Sequence, residues 1–212
     1  MTKGNKVKVI SLMSQKGGSG KTTLAIHLAV CAMEHGEKVG IIDTDMQQSS
    51  TYWGQIREGK EPVVATADAG VCADIIDTAS SEGFTYLVID TAPHAAPEAA
   101  IIARLSDLIV MPCRPSVIDI TAASRTADIA RAARRKGLFV LNGVTKRTRE
   151  IDEATDYLKK LKFEISNTSI TNRLSLSRAL STGKSVTEFE EDGKASEEII
   201  SLWLEIKEMI DG

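Results

Sequence analysis

The chain has 212 residues, 42% hydrophobic and 26% charged, with a formal charge of −3 at pH 7; that is the length of one sizeable α/β domain and the balance of an ordinary soluble globular protein. The charge excludes a generic polycation, no run approaches the roughly 20 apolar residues of a membrane span, and Met1-Thr2-Lys3-Gly4-Asn5-Lys6 lacks the apolar stretch of a secretory signal. Cys31, Cys72 and Cys113 are odd in number, scattered and outside any metal-ligand spacing, which excludes a disulfide framework and leaves buried thiols in a reducing cytoplasm as the expectation.

Short apolar runs alternate with amphipathic stretches along the chain. The runs predict strands over residues 7–13, 38–42, 63–65, 86–89, 108–111 and 139–141, with a further one near 164–170. Val39-Gly40-Ile41-Ile42 and Tyr86-Leu87-Val88-Ile89 are apolar throughout, as suits strands covered on both faces. Helical periodicity predicts helices over 22–35, 49–57, 73–81, 96–105, 121–136, 150–161 and 195–210. This alternation predicts one doubly wound α/β domain over residues 1–212: a single, mostly parallel sheet with helices on both faces. Ligands of such sheets bind beyond the carboxyl ends of the strands, and the motifs below fall at such ends.

The stretch Ser14-Gln15-Lys16-Gly17-Gly18-Ser19-Gly20-Lys21-Thr22-Thr23 lies between the first predicted strand and the first predicted helix. A glycine loop there points successive backbone N–H groups into one concavity, and the helix start adds free N–H groups and a partial positive charge. Lys21 brings a full charge, and the Thr22 hydroxyl beside it suits Mg²⁺. Gly17, Gly18, Ser19, Gly20, Lys21, Thr22 and Thr23 thus read as a cradle for the phosphates of a nucleoside triphosphate. The usual pattern, Gly, four residues, Gly-Lys-Thr/Ser, fails at its first position, which is Gln15; a second lysine, Lys16, precedes the glycines instead.

Two further segments carry carboxylates. Asp43 and Asp45 follow a buried strand in Gly40-Ile41-Ile42-Asp43-Thr44-Asp45-Met46-Gln47, and point the same way if the backbone stays extended. Leu87-Val88-Ile89-Asp90 is an apolar strand ending in an acid, placing Asp90 to hold Mg²⁺ through a water. Phosphoanhydride hydrolysis needs an oriented water and a hydrated metal, and carboxylates serve both. His94 follows in Ala92-Pro93-His94 without an evident role. Asn142, after the strand Phe139-Val140-Leu141, offers an amide donor and acceptor that suit either an adenine edge or the backbone of a local turn.

The loop Lys16-Gly17-Gly18-Ser19-Gly20-Lys21-Thr22-Thr23 resembles the deviant Walker A loop of the ParA/MinD ATPases, and the resemblance extends over essentially the whole chain. It implies an ATPase using ATP and Mg²⁺. Lys21 matches the phosphate-loop lysine and Thr22 the Mg²⁺ ligand. Lys16 matches the signature lysine, which in that family reaches the nucleotide of the other subunit in a sandwich dimer, so dimerisation would depend on ATP. Asp45 matches the residue that positions the attacking water and Asp43 its partner near the metal shell. Met46 stands where the family usually has Pro, which leaves the local turn open.

The charge is uneven. Residues 114–184 hold fifteen Lys/Arg against seven Asp/Glu, whereas the stretch from Ser185 on is acidic. Arg131, Arg134, Arg135 and Lys136 are expected to close one helix; Lys146, Arg147 and Arg149 follow the next strand. Such residues often do no more than complement a helix dipole. The segment from Ile170-Thr171-Asn172-Arg173 to Gly183-Lys184 resembles the region where ParA proteins contact DNA, which implies Arg173, Arg178 and Lys184 as non-specific phosphate contacts. The last amphipathic stretch, 196–210, is acidic. Anionic lipid would repel it, unlike the basic tail of MinD-like proteins, and its apolar stripe is expected to pack inward.

The resulting expectation is a cytoplasmic, nucleoid-associated ParA-like ATPase: an ATP-bound homodimer that holds non-specific DNA, does not use a membrane, and drives DNA partition with a ParB-like or other adaptor that stimulates hydrolysis. The alternatives are the same cycle positioning a protein cargo, such as a microcompartment or chemoreceptor cluster, a MinD-like membrane switch, or an ATP-dependent ligase of the dethiobiotin synthetase kind.

Overall fold

Every residue of β2 (Val39–Asp43), β4 (Tyr86–Asp90) and β5 (Leu108–Cys113) is buried, as their unbroken apolar runs require. They form the middle of a sheet in a computed structural model that describes residues 6–59, 61–93, 96–145 and 149–212. With β1 (Lys8–Leu12), β3 (Val63–Thr66), β6 (Lys136–Val144), β7 (Glu164–Ile165) and β8 (Ile170–Thr171), the strand order is β3-β2-β4-β1-β5-β6-β7, and β8 pairs with β6. Every pairing among the described residues is parallel, which places all strand carboxyl ends at one edge. Asp43 and Asp90 are in register across β2 and β4, and Leu12, just before the phosphate loop, is in register with Asp90.

Alternate strand residues feed two cores. One face packs Ile10, Leu12, Ile41, Val88, Leu108 and Val110 under α1 (Lys21–Glu34) and α9 (Lys194–Asp211), with α2 (Ser49–Ile56), α7 (Leu174–Ser181) and α8 (Val186–Phe189) alongside. The other packs Val9, Ile42, Leu87, Ile89, Ile109 and Met111 under α3 (Cys72–Ser81), α4 (Ala96–Leu105), α5 (Val117–Ala132) and α6 (Arg149–Lys160). Helix α1 is buried nearly all round because α9, α2, α7 and α8 pack against it on the same face of the sheet. The apolar stripe of α9 packs inward as expected: Ile199, Leu202, Trp203 and Ile206 are fully buried, and Trp203 meets Tyr86 edge-on. Among the described residues no helix is long and apolar enough to cross a membrane.

The structure differs from the expectation in several places, and helices α7 and α8 have no counterpart among the predicted elements. Helix α5 starts at Val117, earlier than residue 121, because Ser116 caps it and accepts from the Asp119 N–H. The same helix stops at Ala132: Arg134 takes a left-handed φ of 55° and Arg135 N–H donates back to the Ala130 carbonyl. Arg134 and Arg135 therefore follow the helix, and Lys136 opens β6. The single strand near 164–170 is two two-residue strands, β7 and β8. Lys146, Arg147 and His94 lie outside the described residues.

Candidate functional site

The loop from Ser14 to Gly20 links the carboxyl end of β1 to α1. Gly20 precedes the helix with φ 97°, and no side chain caps the N-terminus. The first-turn N–H groups are thus left for a ligand, and an anion is what a helix start accepts. Asn142, in β6, closes on this loop from the far side: its Nδ2 donates to the Ser19 carbonyl at 2.6 Å. A Cβ on Gly20 would lie 2.0 Å from that nitrogen, so glycine is required by both the backbone angle and the contact. Gly20→Ala is expected to cut nucleotide affinity by about tenfold or more, since strain of about 1–3 kcal/mol falls on the cradle itself. Titration with a fluorescent ATP analogue checks this, and parent-like affinity would disprove it.

Lys21 is 6% exposed. Burial pushes its ammonium pKa down, and the carboxylates of Asp90 and Asp45 pull it back up. Asp90 is fully buried. Desolvation pushes its carboxyl up to about 6, against hydrogen bonds from Ser50 and Thr22, while Asp43 alongside adds to the rise. Its Oδ2 accepts from Ser50 Oγ at 2.8 Å, whereas Oδ1 is buried without a partner among the described residues, as is Ser19 Oγ. A buried carboxylate oxygen with no partner, beside the Thr22 hydroxyl, is the donor set of a hard cation. No cluster of three or more His, Cys, Asp or Glu able to hold a metal exists among the described residues. Mg²⁺ takes one or two protein oxygens and completes its shell with water and substrate phosphates, which the Asp90 and Thr22 oxygens suit.

Asp43 is also fully buried, but both its oxygens are occupied: Oδ1 accepts from Asp45 N–H at 3.1 Å, and Oδ2 from Thr51 N–H at 2.8 Å and Thr51 Oγ1 at 3.0 Å. Asp45 stands partly exposed at the mouth of the site, with Oδ1 accepting from Gln47 N–H at 2.9 Å. The turn closes without a proline. Gln48 N–H donates to the Asp45 carbonyl, Gln48 adopts φ 52°, and the Met46 side chain is 94% exposed.

Lys16 is paired with the start of α5. Its Nζ donates to Asp119 Oδ2 at 2.6 Å, and the Ser116 hydroxyl donates to the same oxygen. Gln15 N–H donates to Thr126 Oγ1 at 3.2 Å, so α5 holds the front of the loop. Asp119, Ser116, Ser50 and Thr51 do not stand out in the sequence as site residues. The spacing Ser116-x-x-Asp119 is a helix-start signature and offers a signal for the first two.

Of the basic residues expected to face DNA, Arg173 is engaged: its Nη2 donates to Glu198 Oε1 at 3.1 Å, and Glu198 also accepts from Thr171 N–H and Oγ1. Arg178, on α7, and Lys184, in the loop after it, are exposed.

The profile of the CobQ/CobB/MinD/ParA nucleotide binding domain matches residues 10–186. The chain belongs to this family. Among curated relatives, the Maintenance of carboxysome distribution protein A of Halothiobacillus neapolitanus is 24% identical over 209 residues, covering 93% of this chain and 94% of that protein. The fold is that of solved ParA/MinD ATPases. Apo McdA of Cyanthece superposes with a TM-score of 0.78 at 18% identity, over 96% of this chain and 99% of that one. The cell division ATPase MinD of Pyrococcus furiosus gives 0.76 at 18% identity, over 95% and 99%. In this chain the loop 14–20, Lys21, Asp43, Asp45 and Asp90 come together at the carboxyl edge of the sheet.

Proposed function

We propose that this chain is an ATP-hydrolysing positioning protein: two copies close over ATP, hold DNA non-specifically and use the cycle to distribute a protein assembly. Lys21 and the loop N–H groups bind the phosphates, and Asp45, at the open mouth of the site, orients the attacking water. When Mg²⁺ is bound, Thr22 and Asp90 hold it, and it offsets charge on the phosphates; Asp43 keeps the Asp45 turn and the start of α2 in place.

The observation that carries this reading is Lys16. It is a second loop lysine, one-third exposed, whose charge is taken up by Asp119 at the start of α5. A lysine serving its own nucleotide would point into its own cradle. One held at the rim can exchange Asp119 for a phosphate across an interface. ATP is then the ligand that draws two copies together, and hydrolysis separates them.

Two cargo readings were open, and the comparison favours one. A relative named for carboxysome distribution aligns over nearly the full length of both chains, which supports a protein assembly as cargo over partition of a plasmid or chromosome. The adaptor is then a protein of that assembly, in the role a ParB-like partner would have in DNA partition. The DNA track rests on exposed Arg178 and Lys184. Arg173 is a poor test because reversing its charge would set two carboxylates together at Glu198.

The test is binding to a random-sequence duplex with ATP and with ADP. The parent is expected to bind with ATP and to weaken steeply with salt, and Arg178→Glu with Lys184→Glu should cost about tenfold or more at fixed salt while nucleotide affinity stays put. Equal binding in ADP and ATP, or no loss in the double variant, would defeat the DNA part of the reading.

A further inference from the structure

We propose that α2 is a relay: it carries the state of the nucleotide site to the segment of residues 183–188, which runs from the α7–α8 loop into α8 and bears Lys184. The functional weight of this inference rests on reading that segment as part of the DNA-facing surface. The relay itself rests on contacts at the two ends of one short helix.

The first turn of α2 is bonded to both carboxylates at the sheet edge. Ser50 Oγ donates to Asp90 Oδ2 at 2.8 Å, and Thr51 donates to Asp43 Oδ2 through N–H and Oγ1 at 2.8 and 3.0 Å. Ser50 is fully buried, so its hydroxyl has no water to turn to. The free oxygen of Asp90, Oδ1, shares a carboxylate with the oxygen that Ser50 holds. A ligand that reorients the Asp90 carboxylate therefore acts on Ser50 directly.

The other end of α2 grips the segment. The guanidinium of Arg57, the residue that ends the helix, forks onto Glu188: Nη1 donates to Oε2 at 2.8 Å and Nη2 to Oε1 at 2.6 Å. Nη1 also donates to the Gly183 carbonyl at 3.0 Å. Glu188 in turn accepts from Ser185 N–H at 2.8 Å, closing a capping box on α8. Trp53 Nε1 donates to the Lys184 carbonyl at 3.4 Å, and the Arg57 guanidinium lies 5.0 Å over the Trp53 ring. The backbones are in contact as well, since a Cβ on Gly183 would fall 2.7 Å from Arg57 Cα.

Between these ends lie eight residues of helix, about 12 Å at 1.5 Å per residue. A helix that short moves as a rigid piece. The segment also rests on α1, which begins at the phosphate cradle: Val186 N–H donates to His27 Nδ1 at 3.1 Å. Two helices that start at the nucleotide site therefore both touch the same segment, α2 at its end and α1 at its middle. The half-buried Arg57–Glu188 pair gives little net stability by itself, because desolvation and screening offset most of the attraction. What it does supply is registry, because its forked geometry ties the position of Gly183 and Lys184 to the position of α2. A ligand shifts an equilibrium only through contacts that differ between states. Asp90 and Asp43 are such contacts for α2, and Arg57 and Trp53 transmit them.

Amide hydrogen exchange on the full chain tests the relay, with and without Mg²⁺ and a non-hydrolysable ATP analogue. In the parent, nucleotide should change exchange in residues 183–189 by about tenfold, alongside protection of residues 14–23. In Glu188→Gln, which keeps size and hydrogen-bonding capacity but loses the ion pair, protection of 14–23 should persist while the response of 183–189 falls severalfold. Trp53→Phe, which removes the bond to Lys184 and part of a buried ring but keeps an aromatic face for Arg57, should weaken the response at 184 and serves if the first variant does not fold. An unresponsive 183–189 segment in the parent overturns the relay, as does a full response in both variants. DNA binding is measured in parallel: a parent that binds no DNA yet shows the exchange response defeats the surface reading and leaves the relay standing.

Discussion

Lys21→Ala lowers affinity for ATP by at least about a hundredfold and leaves the fold intact. Charge-assisted hydrogen bonds to phosphate are worth about 1.5–3 kcal/mol each, and an ammonium at the loop end makes more than one, so a loss of about 3 kcal/mol or more is expected. The burial of Lys21 adds to this. At 6% exposure its charge is largely cut off from water, so its attraction for a phosphate is poorly screened. Burial pushes its pKa down, and the carboxylates of Asp90 and Asp45 pull it back up. Without the lysine, those carboxylates face the triphosphate with no intervening cation, and repulsion compounds the loss. Titration with a fluorescent ATP analogue measures the effect, and circular dichroism of the nucleotide-free variant checks the fold. An affinity within about threefold of the parent would refute the assignment of the cradle.

Much of this site is legible in the sequence because its parts are local. A phosphate loop needs a strand, glycines and a helix start in unbroken succession, and residues 7–24 supply them. Asp43 and Asp90 are legible because an acid ending an apolar run can only sit where a buried strand emerges. What a linear pattern does not carry is contact across distance. Lys16 meets Asp119 and Ser19 meets Asn142 more than a hundred positions away along the chain. Nothing in the pattern around Asn142 says that its amide closes on a glycine loop. The basic segment illustrates the converse. Arg173 reads as a free charge in a basic region, yet Glu198 on α9 takes its guanidinium, and a charge count cannot show who pairs with whom. Helix α7 is hidden in the sequence because Leu174-Ser175-Leu176-Ser177 carries serines that favour turns as readily as short helices; its place is set by burial of Leu176 and Ala179 against α1.

Asp90→Asn makes the nucleotide-free protein more stable at pH 7.5 and at the same time nearly inactive. The carboxyl of Asp90 is fully buried, lies in register with the equally buried Asp43, and is pushed from 3.8 to about 6 by desolvation. A carboxyl whose folded pKa lies above its unfolded value works against folding once ionised. Below about pH 4 it is protonated in both states and costs nothing. Between about pH 4 and 6 the folded chain keeps a proton that the unfolded chain has lost, so stability falls as pH rises. Above pH 6 the full cost remains, and for a carboxyl raised this far it amounts to about 3 kcal/mol. Asparagine removes the charge yet keeps a partner for the Ser50 hydroxyl, so urea unfolding with chelator present should show a gain of about 1–3 kcal/mol at pH 7.5 that vanishes near pH 4. Hydrolysis should fall at least about a hundredfold, because the variant lacks the anionic oxygen beside Thr22 that suits Mg²⁺. A variant less stable than the parent at pH 7.5 would show that the buried carboxylate is compensated within the chain itself. Parent-like turnover would remove Asp90 from the metal site. Both expected results together mean that the cost of burying this charge is borne by the empty protein and relieved only when nucleotide and metal arrive, which makes folding stability itself sensitive to the occupancy of the site.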